Sequence, residues 1–560
     1  MKTWKTNLEE TKQRYINWWN HKGIILSMWE HFQEGVKPHA DIAPPAPARD
    51  LSQKWFDPQW RAEYLDWYVA HSSLMADMLP VANTQLGPGS LAAILGGVFE
   101  GGEDTIWIHP DPNFNDEIVF NPEHPNWLLH KELLKACKAK ANGNYFVGMP
   151  DLMEGLDVLA ALKGTDMVLL DTVMQSEVLE QQMQQINDIY FKVFDELYDI
   201  IREGDEMAFC YFSSWAPGKM SKLQSDISTM ISQDDYRRFV QPFIREQCQK
   251  IDYTLYHLDG VGAMHHLPAL LEIEELNAIQ WSPGVGEPQG GSPKWYDLYK
   301  KILAGGKSVM ACWVTLEELK PLLDHIGADG VHLEMDFHNE REVEQAMRII
   351  EEYTGSSSSV SADVHTNQPV GEQDNAQESI RIREEKSQEE DRMKPLYDAI
   401  VAGKLEPAVE VTKDAIAAGV LPQDIINGYM ITAMGEVGQR FQDGKAFVPQ
   451  LLMAGRAMKG ALELLKPLLA GNASATIGKI VIGTVKGDLH DIGKNLVASM
   501  LEGCGFEVIN IGIDVTCDKF VEAVKENKAD ILCMSALLTT TMTYMQDVIR
   551  ALEEAGSAIR

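Results

Sequence analysis

The chain has 560 residues, which is too long for a single hydrophobic core and predicts two or three domains. A net charge of −34 argues against nucleic acid and against an anionic membrane surface as partners. The amino terminus lacks an apolar signal core, and no apolar run approaches the length of a membrane span. The 7 cysteines lack paired spacing, which is typical of reduced thiols and predicts a cytoplasmic protein.

Residues 1–354 alternate short apolar strands with amphipathic helices. About eight strands over this length predict an α/β domain of the (β/α)8 TIM barrel type. Barrel active sites lie where the strands end, so polar residues that follow strands are the candidate site. The predicted strands cover residues 23–29, 145–149, 167–170, 207–212, 253–258, 278–281, 308–313 and 330–333.

Several residues that follow these strands are candidates for catalysis or metal binding. Zinc accepts imidazole, carboxylate and thiolate ligands together, so His257 with Asp259, Cys312 or Glu334 predicts a zinc site. A structural role for Asp259, capping the turn at Gly260, is the alternative. The predicted catalytic residues are Glu30, Asp151, His257 and Asp259.

Two segments of this domain carry a family resemblance. Residues 149–157, with the Lys-Gly pair at 163–164, and residues 256–260 resemble the uroporphyrinogen-decarboxylase-like superfamily. That superfamily includes zinc methyltransferases that work with small corrinoid proteins and hold the metal by a His-x-Cys pair and a distant Cys. By position, His257 matches the His and Asp259 the first Cys, while the distant ligand falls near Glu334. Tetrapyrrole decarboxylation is less favoured, because no Arg-rich amino-terminal motif is present to bind several carboxylates.

Residues 355–391 differ in composition from the preceding domain, because they are rich in Ser, Gln, Asn and Glu and contain few apolar residues. Such a stretch buries too little surface to become ordered, which predicts a flexible linker. Residues 392–474 then repeat apolar side chains at steps of three and four, which predicts a four-helix unit.

Residues 475–560 alternate strands and helices again, which predicts a flavodoxin-like or Rossmann-like α/β domain. His490 lies in the loop after the first of these strands, at the carboxyl edge of the sheet. Asp488 and Asp491 can orient its ring and raise its basicity, and Gly493 lets another molecule approach the backbone closely. An ordinary loop with a surface histidine is the alternative interpretation.

The spacing Asp-x-His-x-x-Gly in this setting resembles the corrinoid-binding signature of cobalamin-dependent methyltransferases. The resemblance implies that His490 is the lower ligand to cobalt. Ser535 and Thr539 match the hydroxyls that line the slot for the cofactor's nucleotide tail. Thr541 matches a hydroxyl that joins the His–Asp pair in methionine-synthase members of the family.

The four-helix unit resembles the cap of the same family, which covers the methyl-bearing face of the corrin. Phe441, Val448 and Leu451 are the matching positions, although such spacing by itself is usually ordinary helix core. The α/β domain of this family has five strands, and only three are predicted before Arg560. That difference predicts a truncated chain or a half-open cofactor slot.

The sequence therefore predicts a fused corrinoid-dependent methyltransferase, similar in architecture to chloromethane methyltransferases. Its barrel would bind a small methyl donor or acceptor, with a corrinoid and zinc as cofactors. The resemblance implies a second methyltransferase and a corrinoid reductive activase as partners. The alternatives are a corrinoid carrier or sensor with a non-catalytic barrel, and a decarboxylase fused to a vestigial domain.

Overall fold

In a computed structural model of the protein, the chain divides into two compact units, Met1–Ser357 and Ser358–Arg560. The division falls inside the predicted linker 355–391, of which residues 355–385 lie outside the described residues. Within the described part of the chain, no helix has both the length and the apolar character needed to cross a bilayer. The described residues are 3–102, 105–110, 114–284, 286–354, 386–469, 478–488, 492–503, 506–536 and 539–556.

The first unit is an α/β structure built on two larger sheets and a separate two-stranded antiparallel sheet. Its strands are β1 Ile24–Ser27, β2 Val81–Ala82, β3 Val98–Gly101, β4 Ile106–His109, β5 Phe146–Met149, β6 Met207–Phe209, β7 Ser214–Ala216, β8 Met220–Leu223, β9 Tyr253–Asp259, β10 Ala278–Ser282, β11 Ser308–Val314 and β12 Val331–Met335. A parallel sheet has the order β1-β12-β11-β10-β9-β8, and a second sheet has the order β2-β5-β6-β7 with only β7 antiparallel. Strands β3 and β4 form the separate antiparallel sheet. β6 packs against β8 and so brings the two larger sheets together. Their closure into one barrel stays a prediction.

Helices follow most of these strands, as an α/β fold requires. They are α1 Leu8–Trp19, α2 Leu51–Phe56, α3 Pro58–His71, α4 Ser90–Ile94, α5 Pro125–Ala141, α6 Gly155–Lys163, α7 Thr165–Met174, α8 Ser176–Ile201, α9 Gln233–Phe239, α10 Gln241–Lys250, α11 Leu267–Leu271, α12 Tyr296–Ala304, α13 Leu316–Ile326 and α14 Glu340–Thr354.

One predicted strand in this unit is wrong, and the sequence analysis missed several others, of which β8 matters most for the site. Residues 167–170 belong to helix α7, where Val168 and Leu169 are buried while Met167 is exposed. A short apolar run does not distinguish a strand from one turn of a buried helix. Strand β8 was not predicted, because its Met-Ser-Lys-Leu sequence reads as polar, yet all of its residues are buried.

The second unit begins with helices and ends with a parallel sheet, as predicted, but its described residues form five helices before the sheet where four were predicted. The helices are α15 Lys386–Val401, α16 Leu405–Ala417, α17 Pro422–Ile425, α18 Ile431–Gln442 and α19 Val448–Leu469, with a π-helical turn at Ile426–Met430. Strands β13 Lys479–Thr484, β14 Glu507–Asn510 and β15 Ile531–Ser535 alternate with helices α20 Ile492–Gly503, α21 Cys517–Asn527 and α22 Thr539–Glu554. The sheet order β14-β13-β15 places β13 at the centre.

Close packing behind β13 explains one glycine in that strand. A Cβ atom added at Gly483 would lie 2.8 Å from Ile511 and 2.9 Å from the Phe520 ring. Phe520 is fully buried in the core between the sheet and helix α21. The glycine therefore lets the helix approach the sheet closely.

The six described cysteines form no disulfide bonds, which agrees with the predicted free thiols. They are Cys137, Cys210, Cys248, Cys312, Cys517 and Cys533.

Candidate functional site

The first candidate site lies where central strand β13 ends. Asp488 follows this strand and is 0% exposed. Its Oδ2 accepts a hydrogen bond of 2.8 Å from Thr541 Oγ1 at the start of helix α22. Asp514 supports the same turn, because its backbone N–H donates to the Asp488 carbonyl and its Oδ1 accepts from the Gly487 N–H. The chain therefore holds a buried carboxylate at the carboxyl edge of the sheet, where parallel α/β sheets bind ligands.

The other predicted residues of this site are described only in part. His490 and Asp491 lie outside the described residues, and Gly493 lies in the first turn of helix α20. Ser535 ends β15, and its carbonyl accepts a hydrogen bond of 3.0 Å from Val485. Thr539 begins helix α22, and its side chain is outside the described part.

A second candidate site lies in the first unit, at the ends of β8 and β9. Ligand atoms of Asp226, His257 and Asp259 lie within 4.8 Å of one another. His257 and Asp259 are two residues apart on β9 and so share one face of the strand. The parallel pairing of β8 with β9 brings in Asp226, which follows β8.

The predicted zinc site stays a prediction, and the structure brings to it a carboxylate that the sequence analysis did not name. Asp226 joins His257 and Asp259, whereas Cys312 and Glu334 lie outside this cluster. Gln280 separates the two groups, since its Oε1 accepts a hydrogen bond from His257 Nδ1 and its Nε2 donates to Cys312 Sγ at 3.0 Å. Successive side chains of a strand point to opposite faces of the sheet. The sequence does not show which strand-end residues point to the same place, because that depends on how neighbouring strands pair.

The contact with Gln280 also defines the tautomer of His257. A side-chain amide oxygen only accepts hydrogen bonds, so Nδ1 of His257 is the protonated nitrogen and Nε2 keeps its lone pair. Burial, and then the positive charge of Lys222, lower the pKa of His257 to about 3. A neutral imidazole with a free Nε2 is the form that binds a metal ion.

The two carboxyl groups of the cluster repel each other when both are ionised. Asp226 as a residue is exposed, but its carboxyl group is surrounded by protein, and this loss of hydration, followed by the charges of Asp157 and Asp259, raises its pKa above the ordinary value. Burial also raises the pKa of Asp259, and Lys222 opposes that shift. One imidazole and two carboxylates that favour a nearby positive charge fit a divalent cation such as zinc.

A buried ion pair lies beside this cluster. Lys222, which is 2% exposed, donates from Nζ to Asp151 Oδ2 at 2.5 Å and also to Gln224. Its Nζ lies 4.6 Å from the centre of the Tyr211 ring. The structure therefore pairs Asp151, a predicted catalytic residue, with a lysine that the sequence analysis missed.

The segment 149–157 holds the backbone of the loop that carries Asp226. Asp157 accepts hydrogen bonds from the backbone N–H groups of Asp226 and Ile227 at 2.8 and 2.9 Å. Glu154 accepts from the N–H of Gln224 at 2.9 Å. The acidic residues of this segment therefore hold the loop that carries Asp226.

Lys222, Asp226, Gln280 and Tyr211 are the residues of this site that the sequence analysis missed. The available signal was the run of polar residues at 221–226, which becomes informative only once β8 is known to be a buried strand. Glu30, predicted as catalytic, does not belong to this cluster; it is exposed and lines a separate cavity of about 520 Å³.

Comparisons with known proteins concern mainly the second unit. Residues 393–466 and residues 478–560 match two family models, each described as a B12 binding domain. Trimethylamine corrinoid protein 1 of Methanosarcina mazei is 45% identical over 161 residues, which are 28% of this chain and 74% of the relative. The chain belongs to the corrinoid protein family.

A second relative is also named a corrinoid protein, and a matching solved structure is a cobalamin methyltransferase complex. Dimethylamine corrinoid protein 1 of Methanosarcina acetivorans is 47% identical over 152 residues, which are 26% of this chain and 71% of the relative. Among solved structures, the methanol:cobalamin methyltransferase complex MtaBC from Methanosarcina barkeri is 33% identical. The match covers 32% of this chain and 72% of the matched chain in that structure, with a TM-score of 0.28.

The described residues of this corrinoid protein fit a corrinoid at the end of β13. A fully buried carboxylate is costly unless it has partners, and Thr541 provides one for Asp488. A buried carboxylate two residues before a histidine is also the partner that a metal-bound imidazole needs. The roles of the individual residues stay predictions.

The cap residues differ in how much of each side chain is accessible. Phe441 is 45% exposed, whereas Val448 is 5% and Leu451 is 2% exposed. Leu451 packs with Val437 and Ala454 inside the helical part. Val448 and Leu451 are thus core residues of the cap in this structure, and Phe441 is the one of the three available for a contact.

Proposed function

We propose that this corrinoid protein is a fused methyltransferase that moves a methyl group between a small compound and the cobalt of its corrinoid. The observation that carries the proposal is the Asp226–His257–Asp259 cluster in the same chain as the B12 binding region. A carrier without catalytic function has no need for a neutral imidazole and two carboxylates gathered at strand ends.

In this proposal His490 would ligate the cobalt, and Asp488, which accepts a hydrogen bond from Thr541, would orient the His490 ring and raise its basicity. The bound corrinoid supplies a metal centre that accepts a methyl group. Asp491, Gly493, Ser535 and Thr539 border the cofactor as the family resemblance implies.

In the first unit, Asp226, His257 and Asp259 would hold a zinc ion, and Gln280 keeps the His257 ring in the tautomer that metal binding requires. Zinc supplies Lewis acidity at the heteroatom that loses the methyl group. Lys222 adds a fixed positive charge beside that atom, and Asp151 holds the lysine in place.

A carrier served by a separate methyltransferase is the second candidate function. It is favoured by the names of the relatives, which are corrinoid proteins and not methyltransferases. The two functions differ in whether the chain transfers a methyl group without another protein.

The proposal is tested by the spectrum and metal content of the purified full-length chain. We expect a corrinoid spectrum, stoichiometric zinc, and methylation of reduced cobalamin from a donor without an added protein. His257→Ala and Asp226→Asn should lower zinc occupancy and methyl transfer at least about tenfold and leave the corrinoid spectrum unchanged.

The matched control is Cys312→Ala, which removes a predicted ligand that the structure places outside the cluster. It should keep the zinc. Loss of zinc in Cys312→Ala but not in Asp226→Asn would contradict the cluster as the metal site. Methylation only in the presence of a second methyltransferase would favour the carrier.

A further inference from the structure

The first unit contains an aromatic cavity of about 520 Å³. None of the residues of the Asp226–His257–Asp259 cluster lines it. Its walls combine rings from three parts of the chain with a few polar groups. The aromatic side chains are Trp29, Trp55, Trp60, Tyr64, Tyr68 and Tyr211. Flat apolar walls of this kind suit a planar, apolar ligand.

Arg61 is the unusual residue of this cavity. It is only 8% exposed, and its Nη2 donates to the backbone carbonyls of Asn83 and Gln85 at 3.2 and 3.0 Å. Its guanidinium lies 5.2 Å from the Trp55 ring. Among the described residues, no carboxylate forms an ion pair with it, although acidic residues outnumber basic ones by 83 to 49 in the chain. A buried cation without a counter-ion has lost hydration that an anionic ligand would replace.

Two further polar atoms in the cavity wall are buried and have no partner. They are Nε2 of His31, a residue that is 8% exposed, and Oε1 of Gln85. Buried polar atoms are almost always hydrogen-bonded, so such atoms in a cavity wall indicate a place for ligand groups.

The charge of the cavity selects against a cation. Lys54 and Arg61 both line it, and their charged groups lie over the Trp55 ring at 5.5 and 5.2 Å. Among the described residues of the lining, Glu30 is the single carboxylate, and it is exposed. An aromatic cage for a methylammonium ion would instead leave its ring faces free of cations.

The cavity lies next to the Asp226–His257–Asp259 cluster. Tyr211 lines the cavity, and the centre of its ring lies 6.4 Å from that of His257. Trp29 lines it too and lies 4.6 Å from the Tyr211 ring. A ligand held in the cavity thus has one end near the groups to which we assign activation of the methyl donor.

We propose that this cavity binds the methyl donor, and that the donor is a methoxy-substituted aromatic carboxylate, whose O–CH3 bond would break so that the methyl group passes to the reduced corrinoid and the electron pair stays on a phenolate oxygen. The carboxylate pairs with Arg61 in bidentate fashion, and the ring lies between the aromatic walls. The assignment of the ligand as methyl donor rests on the proposed function, whereas its chemical class rests on the cavity alone.

The test compares three probes by calorimetry on the full-length protein: 4-methoxybenzoate, 4-methoxybenzamide and tetramethylammonium. The acid and the amide have the same shape and differ in charge. We expect the acid to bind at least about tenfold more tightly than the amide, and tetramethylammonium not to bind, because a charged pair is stronger than a neutral hydrogen bond. Equal affinities for acid and amide, or tighter binding of tetramethylammonium, would overturn the proposal.

Arg61→Gln should remove the preference for the acid, and Arg237→Gln is the matched control. Arg237 pairs with Glu272 outside the lining of the cavity, so its removal should leave the preference unchanged. A preference that survives in Arg61→Gln contradicts the role of this residue. If Arg61→Gln does not fold, the comparison of acid with amide in the parent protein still decides.

Binding needs neither corrinoid nor zinc chemistry, which separates this proposal from the proposed function. Tight binding of the acid without methyl transfer would refute the methyltransferase and leave the class of ligand standing. Methyl transfer from a neutral or cationic donor, with no binding of the acid, would refute the aromatic carboxylate as ligand and leave the methyltransferase standing.

Discussion

The hydroxyl group of Thr541 donates a hydrogen bond to the buried carboxylate of Asp488. The two residues are 53 positions apart, so their contact links the loop after β13 to helix α22. A change at this residue therefore affects both the stability of the sheet's edge and the groups that we expect to hold the corrinoid.

Thr541→Val keeps the shape of the side chain and removes the donor. We expect the free energy of unfolding of the second unit to fall by about 1–3 kcal/mol, because Asp488 stays buried with one hydrogen bond fewer. Corrinoid should also be lost more readily during gel filtration. Denaturant unfolding and the corrinoid absorbance measure the two effects. Thr432→Val, at an exposed position of helix α18, is the control and should change neither.

A second prediction at the scale of the residue concerns Glu334. Burial raises its pKa from 4.5 to about 8. Between these values the unfolded chain releases the proton and the folded chain keeps it, so the free energy of unfolding falls as the pH rises. Below this range both states hold the proton, and Glu334 contributes no pH dependence.

Glu334→Gln removes this titration in a side chain of nearly the same shape. The variant should be more stable than the parent at pH 8 by at least about 1 kcal/mol, and the gain should be much smaller at pH 5. Urea unfolding at the two pH values measures it. Glu344→Gln, on the surface of helix α14, should show no such difference. A gain of equal size at both pH values would contradict the raised pKa.

At the scale of the element, the packing of helix α21 against β13 depends on Gly483. Gly483→Ala would place a Cβ atom 2.8 Å from Ile511 and 2.9 Å from Phe520, closer than carbon atoms approach in folded proteins. We expect the second unit to lose about 1–3 kcal/mol of stability, as overpacked cores do. Thermal unfolding of the full chain measures the loss in the transition of this unit.

Gly435→Ala is the matched control for that substitution. Gly435 lies in helix α18, and a Cβ atom there would meet nothing within 4 Å. Because alanine favours a helix more than glycine does, this variant should be unchanged or more stable by up to about 1 kcal/mol. A loss as large as that of Gly483→Ala would show that contact distances do not explain the effect.

At the scale of the whole molecule, methyl transfer requires the cobalt to meet the substrate of the first unit. Helix α15 begins at Lys386, so the predicted flexible linker shortens to residues 355–385, whose polar composition favours a high effective concentration over one fixed arrangement. A flexible chain of this length spans roughly 28–33 Å on average, which is comparable to the width of a barrel.

Cutting this linker to a few residues should therefore slow methyl transfer within the chain and leave corrinoid binding unchanged. Single-turnover kinetics and the corrinoid spectrum measure the two properties. A control of equal length but scrambled sequence should behave like the parent, because only length and flexibility matter. A shortened protein that turns over at the parental rate would contradict this account.

The amino-acid sequence by itself determined the second unit almost completely. The described residues of 392–474 form helices, and those of 475–560 alternate three strands with helices, as predicted, because these elements have a clear period of apolar residues. Helix α15 is longer than predicted, since it begins at Lys386, in a stretch whose polar composition indicated linker. The corrinoid-binding signature was equally readable, because its residues lie close together in the chain.

The site of the first unit was decided by the tertiary structure. His257 and Asp259 were predictable as a pair on one strand, but Asp226 joins them only through the pairing of β8 with β9. Lys222 reads as a surface residue in the sequence and is 2% exposed, because Asp151 from a distant strand end provides its counter-charge. Apolar periodicity reports which face of an element is buried, whereas the partner of a buried polar group depends on strand register and on residues far away in the chain.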